Sequence, residues 1–265
     1  MCSHYQTLKD AELLLKKFGV REKPAAIGKY DMWPRYQGVF VRRPVEHDAG
    51  DEAVPEREAV VGRWGLISAA TVPGKLTDAE KLSTFNSRDD RVATAFTFRN
   101  AWRRAQHCVI PADAIFEPDH RDETKAKFGT TKSVPTRFTR ADGAPMGIAG
   151  LWDRYRDAAG QWQESYTMLT INADDDPLFR DYHQAGKEKR MVVILPEGVS
   201  ADVILTHRVG VNLTHLGNDG GLLAADNVDS GASSGDQGNG ASRRQHSGDG
   251  QAAGLLTQHD QAVSA

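Results

Sequence analysis

The most reactive feature of the 265-residue sequence is a cysteine in second position, Cys2. Aminopeptidases remove an initiating methionine when the next side chain is small, and cysteine qualifies. The chain would then begin with an α-amine and a thiol on adjacent carbons, a 1,2-aminothiol. An α-amine has a reference pKa of roughly 7.7–8.0 against about 10.4 for lysine, so part of it is unprotonated and nucleophilic near neutral pH. With an aldehyde, the amine forms a Schiff base and the thiol closes onto the same carbon to give a five-membered thiazolidine. The competing reading is that Cys2 is a tolerated terminal residue, since chain ends are usually variable. Cys108, the other cysteine, sits in the apolar run HCVIP and reads as a packing thiol. Two cysteines are too few for a disulfide framework and are expected to be free thiols.

Other common chemistries lack their signatures. The sequence has no G-x-x-x-x-G-K-[ST], G-x-G-x-x-G, C-x-x-C or H-E-x-x-H, so nucleotide and zinc readings lose their usual support. No long apolar run and no signal-like N-terminus are present, so neither a membrane span nor secretion is expected, and the cytoplasm is the default location. The net charge of -3 is uneven: from Gly217 onward six Asp and two Arg contribute -4, which leaves +1 on the first 216 residues. A nucleic-acid surface would therefore be local. Arg88, Arg91, Arg99, Arg103 and Arg104 form one basic cluster and Lys187, Lys189 and Arg190 another, which suit either a phosphate-lined groove or solvated faces.

The elements that must position these residues are mostly strands. QGVFVRRP, EAVVGRWGLIS, HCVIPADAIFE, APMGIAGLWDRY, QESYTMLTINA and RMVVILP are short, β-branched or aromatic, and bounded by Gly, Pro or Asp. DAELLLKKFG has helical spacing, with lysines in its last turn and Gly19 as a stop; TFRNAWRRA and PEGVSADVIL are shorter helix candidates. The order does not alternate strictly, which predicts an α+β fold with a mainly antiparallel, barrel-like sheet and a few short helices. Residues 45–58 and 119–133 read as loops. A Gly/Ser/Asp-rich composition makes 216–265 a disordered tail after a single domain over 1–215.

Further segments carry a family likeness. FNSR at 85–88, FTFRNAWRRAQHCVIPADAIFEP at 96–118, GIAGLW at 147–152 and YHQAGKEKRMVVIL at 182–195, with MC at the start and GRWGLI at 62–67, together resemble the SOS response-associated peptidase (SRAP) family from Cys2 to about Pro196. The resemblance implies a covalent nucleophile at Cys2, with Asn86 orienting the N-terminal residue or a sugar. It implies Glu117 and His183 as proton-transfer groups, and Arg88 and Arg190 as contacts to DNA phosphate. The implied partner is single-stranded DNA containing an abasic site, captured at Cys2 as a thiazolidine cross-link, with nucleoid association when bound. An autopeptidase activity removing residues ahead of the cysteine is implied as well; no metal or organic cofactor is.

An abasic sugar is mostly a closed hemiacetal. Glu117 would shuttle the proton that opens it, and His183 would donate to the departing hydroxyl or steady the imine. The sequence departs from the family where SAAT follows GRWGLI, in place of proline and tryptophans, and where Phe116 and Pro118 flank Glu117 in place of tyrosine and tryptophan. Two other functions compete on the same residues. One is an N-terminal-nucleophile cysteine hydrolase with His183 as base and Asn86 as oxyanion donor. The other is a noncovalent single-stranded DNA-binding module in which Cys2 is incidental.

Overall fold

The computed structural model of the chain describes residues 2–45, 53–119, 133–183 and 186–196, and the backbone of 222–225. Within them lie thirteen strands and three short α-helices. The two longest strands, β9 (Met146–Arg156) and β10 (Trp162–Asn172), form an antiparallel hairpin. Its turn is fixed by Asp157, whose Oδ1 accepts from Ala159 N and Gln161 N. Strands β3 (Gln37–Arg42) and β4 (Glu58–Trp64) form a second hairpin. β10 pairs with β4 in parallel, and β6 (His107–Ala112) bridges β9 and β3, so β3, β4, β10, β9 and β6 close into a five-stranded barrel. The expected barrel-like, mainly antiparallel sheet is present.

The barrel strands are near-continuously buried, not alternating, because both of their faces are covered. Trp64, Phe40 and Tyr166 fill the interior, each contributing about 1.5–3 kcal/mol by leaving water. Gly38 makes room for a polar contact there. A Cβ at that position would lie 2.5 Å from the Tyr166 hydroxyl and 3.1 Å from that of Tyr5, and those two hydroxyls hydrogen-bond at 2.6 Å.

HCVIPADAIFE, expected as one strand, is two. The chain turns at Asp113, whose N–H donates to Gln6 O and whose Oδ2 accepts from Lys9 N. It then enters a second sheet as β7 (Ala114–Asp119). That sheet runs β2 (Asp31–Met32), β1 (His4–Gln6), β7, β8 (Val134–Arg140), β13 (Leu222–Ala225). RMVVILP also divides, into β11 (Arg190–Val192) on β10 and β12 (Ile194–Leu195) on β9; between them Val193 hydrogen-bonds to both partner strands.

The helices are α1 (Glu12–Phe18), which ends at left-handed Gly19 as expected, α2 (Leu76–Lys81) and α3 (Arg99–Arg103). Strand β5 (Asn86–Arg88) pairs in parallel with β10 just past β4. Four residues of the stretch expected as tail, Leu222–Ala225, pair with β8 as β13. The rest of 216–265, most of the PEGVSADVIL helix candidate and the middles of the loops at 45–58 and 119–133 lie outside the described residues.

Candidate functional site

Four of the six candidate residues meet at the start of β1. Antiparallel pairing sets His4 opposite Phe116 and Tyr5 opposite Ile115, which brings Cys2 alongside the end of β7 that carries Glu117. β5 delivers Asn86 to the same place, and its Nδ2 donates to the Cys2 carbonyl at 2.6 Å across 84 residues of sequence. Trp64 braces this junction. Its indole N–H donates to Phe85 O at 3.0 Å, and its ring meets Tyr5 edge-on at 4.8 Å between centroids. The Asn86 Oδ1 is buried with no hydrogen-bond partner among the described residues.

His183 reaches the cluster from the other side. A 3-10 turn, Phe179–Asp181, leads into it; Phe179 and Tyr182 pack on Phe138 of β8 at 4.9 and 4.7 Å. The His183 N–H donates to Pro118 O at 2.9 Å, its carbonyl accepts from Lys189 Nζ, and it takes a left-handed φ of 66°. A non-glycine residue in that conformation is held there only by such surroundings. The His183 Nε2 lies 3.1 Å from Glu117 Oε2 and 3.0 Å from the Arg190 carbonyl oxygen. A carbonyl only accepts, so Nε2 carries a proton and donates it to the Arg190 carbonyl, with the Glu117 carboxyl 3.1 Å away.

The electrostatics follow from burial. Glu117 has almost no exposed surface, and desolvation pushes its carboxyl up to about 7, where acid and base forms coexist near neutrality. Burial first, and then the Glu117 charge, push the Cys2 thiol well above its ordinary value. The thiol is therefore protonated, and Sγ donates to the His4 carbonyl at 3.2 Å.

Arg88 and Arg190 form a separate, adjoining cluster. Arg88 makes a two-pronged bond to Asp90, at 2.9 and 2.8 Å, and a second to Glu188, at 2.8 and 3.2 Å. Arg190 is buried and donates to Glu188 (2.9 Å), Asp89 (2.5 Å) and the Thr170 carbonyl (2.5 Å). Its backbone carbonyl is the one that receives His183, which joins the two clusters. Both guanidinium groups expected on DNA phosphate are thus engaged by internal carboxylates. Arg88 holds Asp90 down to about 2, and Arg88 followed by Arg190 lowers Glu188.

The altered SAAT stretch lines a different feature, an apolar cavity of about 340 Å³ walled by Leu66, Ile67, Val72, Leu82 and Phe96. It includes none of Cys2, Asn86, Glu117 and His183. Among the described residues no three His, Cys, Asp or Glu side chains are grouped to hold a metal ion, and no helix is long and apolar enough to cross a membrane. Sequence reasoning missed Glu188 and Trp33, the exposed aromatic after β2. The tryptophan-proline pair at 33–34 was the available signal for the latter.

Comparisons with known proteins identify the family and the fold. A family model described as SOS response associated peptidase (SRAP) matches residues 1–210. A crystal structure of a Bordetella bronchiseptica protein is 57% identical, covers 86% of this chain and 100% of its own, and superposes with a TM-score of 0.73. Two more distant structures share the fold. One, from Bacteroides thetaiotaomicron, is 19% identical with a TM-score of 0.64, covering 85% of this chain and 91% of its own. The other, a phage-related Bordetella bronchiseptica protein, is 15% identical with a TM-score of 0.51, covering 77% and 81%. No curated protein matches the chain. The chain belongs to the SOS response-associated peptidase (SRAP) family, which ties it to the SOS response to DNA damage.

Proposed function

We propose that the chain captures abasic sites in single-stranded DNA through Cys2, and the observation that carries the reading is the meeting of Cys2, Asn86, Glu117 and His183 in one buried cluster. Removal of Met1 frees the α-amine of Cys2. Asn86 keeps its amide bond to the Cys2 carbonyl, and its partnerless Oδ1 is an acceptor for that amine or for a sugar hydroxyl.

Four proton-balanced steps follow. The Glu117 carboxylate takes the proton of the hemiacetal hydroxyl while His183 protonates the ring oxygen, which opens the sugar to its aldehyde. The Cys2 amine adds to the carbonyl carbon. The nitrogen passes one proton to the resulting alkoxide, Glu117, now protonated, gives its proton to that hydroxyl, which leaves as water, and the nitrogen's remaining proton goes to His183, which regenerates His183 and gives the imine. The Cys2 thiol then adds across the C=N bond, sulfur to carbon and proton to nitrogen, and the thiazolidine closes. A carboxyl near 7 suits both the base and the acid halves of this sequence. A protonated thiol suits a mechanism in which the amine attacks first.

The cysteine-hydrolase alternative finds less support. It requires a thiolate activated by His183, whereas the thiol bonds to the His4 carbonyl and burial disfavours its ionisation. The peptidase activity of the family name is assigned in this reading to the Met1–Cys2 bond. The capture reading is tested by mixing the protein with a single-stranded oligonucleotide bearing one abasic site and resolving the products on a denaturing gel. A heat-stable adduct confined to the native protein and the damaged strand is expected; steady turnover of an amide substrate without adduct would favour the hydrolase.

A further inference from the structure

Two residues along β1 from Cys2, His4 lies between two aromatic rings. Its ring centroid is 4.1 Å from Phe116 with planes 13° apart, and 4.2 Å from Trp33 with planes 6° apart. Every ring of this parallel stack is held. Phe116 is fixed by its register opposite His4. The His4 Nε2 pairs with Asp31 Oδ1 at 3.1 Å, and the same oxygen accepts from Gln6 Nε2, whose own Oε1 accepts from Arg137 Nε.

Trp33 opens a tight turn closed by Tyr36 N donating to Trp33 O at 3.0 Å. Pro34 fits its first central position, and Arg35 takes φ 76° at the second, a site that favours glycine. Arg35 is held there by its N–H to Trp64 O and its guanidinium to Lys81 O. Strain of this kind persists where the surroundings enforce it. Even so, Trp33 is 46% exposed, Tyr36 at the end of the same turn is 38% exposed, and the Lys29 ammonium sits 4.8 Å over the Tyr36 ring.

Folding has thus ordered a stack of three rings and left its last ring open to solvent. A planar heterocycle can extend such a stack without further ordering of the protein, which is how single-strand binders hold bases regardless of sequence. Position identifies the occupant. At about 3.3 Å per residue along a strand, His4 lies roughly 7 Å from Cys2. The Trp33 ring is the next layer out, 4.2 Å from that of His4, within reach of a nucleotide flanking the captured sugar.

We infer that the outer face of Trp33 is a stacking platform for a nucleobase of single-stranded DNA flanking the sugar captured at Cys2. The inference rests on the capture reading for the position of the sugar, but base stacking itself requires no covalent step.

The test is binding of an undamaged single-stranded oligonucleotide, followed by fluorescence anisotropy, to the native protein, Trp33→Ala and Trp33→Phe. Trp33→Ala is expected to bind about tenfold or more weakly, and Trp33→Phe to recover most of that loss. Far-ultraviolet circular dichroism of both variants confirms that they fold. In a second arm, an abasic oligonucleotide whose flanking nucleotides are replaced by tetrahydrofuran spacers, which carry neither a base nor a masked aldehyde, is captured more slowly than a normally flanked one by the native protein. Trp33→Ala is expected to capture both at the same rate. Equal binding by all three proteins, or an unchanged flanking-base effect in Trp33→Ala, would overturn the platform while leaving capture at Cys2 intact. Trp33-dependent binding with no adduct in the native protein would support the platform and count against capture.

Discussion

The two adjoining clusters of the site treat charge in opposite ways. Around Cys2 desolvation dominates the ionisable groups: Glu117 sits near 7 and the thiol stays protonated. Around Arg88 and Arg190 each guanidinium meets at least two carboxylates, and Glu188 alone accepts from both arginines and from Asn172. A desolvated carboxyl titrating near neutrality can give and take a proton; burial or half-burial with matched charges locks protons in place. The first arrangement suits chemistry. The second suits a rigid, charge-matched frame.

The sharpest way to break this contrast is Glu117→Gln. The variant loses the proton shuttle, and capture is expected to slow by about a hundred- to a thousandfold, read from the rate of adduct formation. It also reports on pH. Between 4.5 and about 7 the folded chain still binds the Glu117 proton that the unfolded chain has released, so stability falls as pH rises through that window. The fall amounts to at most about 3 kcal/mol. Denaturant melts of the native protein should show that slope, and melts of Glu117→Gln should lack it.

Arg190→Met tests the second cluster. Its removal leaves Asp89 and Glu188 facing each other with less compensation, at an expected cost of about 2 kcal/mol, below the range for a fully buried pair because both carboxylates are part exposed. Thermal unfolding should then occur about 4–8 °C lower.

Asn86→Ala removes one hydrogen bond, to the Cys2 carbonyl, and capture should slow by about tenfold with little change in noncovalent DNA affinity. The smallest effect is expected at Arg88. If it contacts one phosphate, Arg88→Ala should reduce the salt dependence of single-stranded DNA binding by about 0.7 in log–log slope. An unchanged slope would mean that Asp90 and Glu188 hold Arg88 permanently.

Much of the scaffold was legible in the sequence because β3, β4, β9 and β10 are long enough to show their composition. The strands that build the site were not. β1 and β5 are three residues each and exist because β7 and β10 pair with them, so no local pattern announces them. β8 was hidden in the polar segment VPTRFTR, whose alternation puts Phe138 under the 3-10 turn that carries His183. The residue types of the site were readable through the family likeness. The saturation of Arg88 and Arg190 was not, since Asp89, Asp90 and Glu188 come from loops whose proximity only the fold creates. Trp33 escaped notice because its stacking partner, His4, lies 29 positions away on another strand.

The most direct test of the account is the denaturing gel of an abasic single-stranded oligonucleotide mixed with the native protein, with Cys2→Ala, and with an undamaged control strand, after mass spectrometry has shown that the native chain begins at Cys2. The account predicts one heat-stable adduct, in the native lane with the abasic strand only. An adduct that persists in Cys2→Ala, or no adduct from a native chain with a free Cys2 amine, would contradict it.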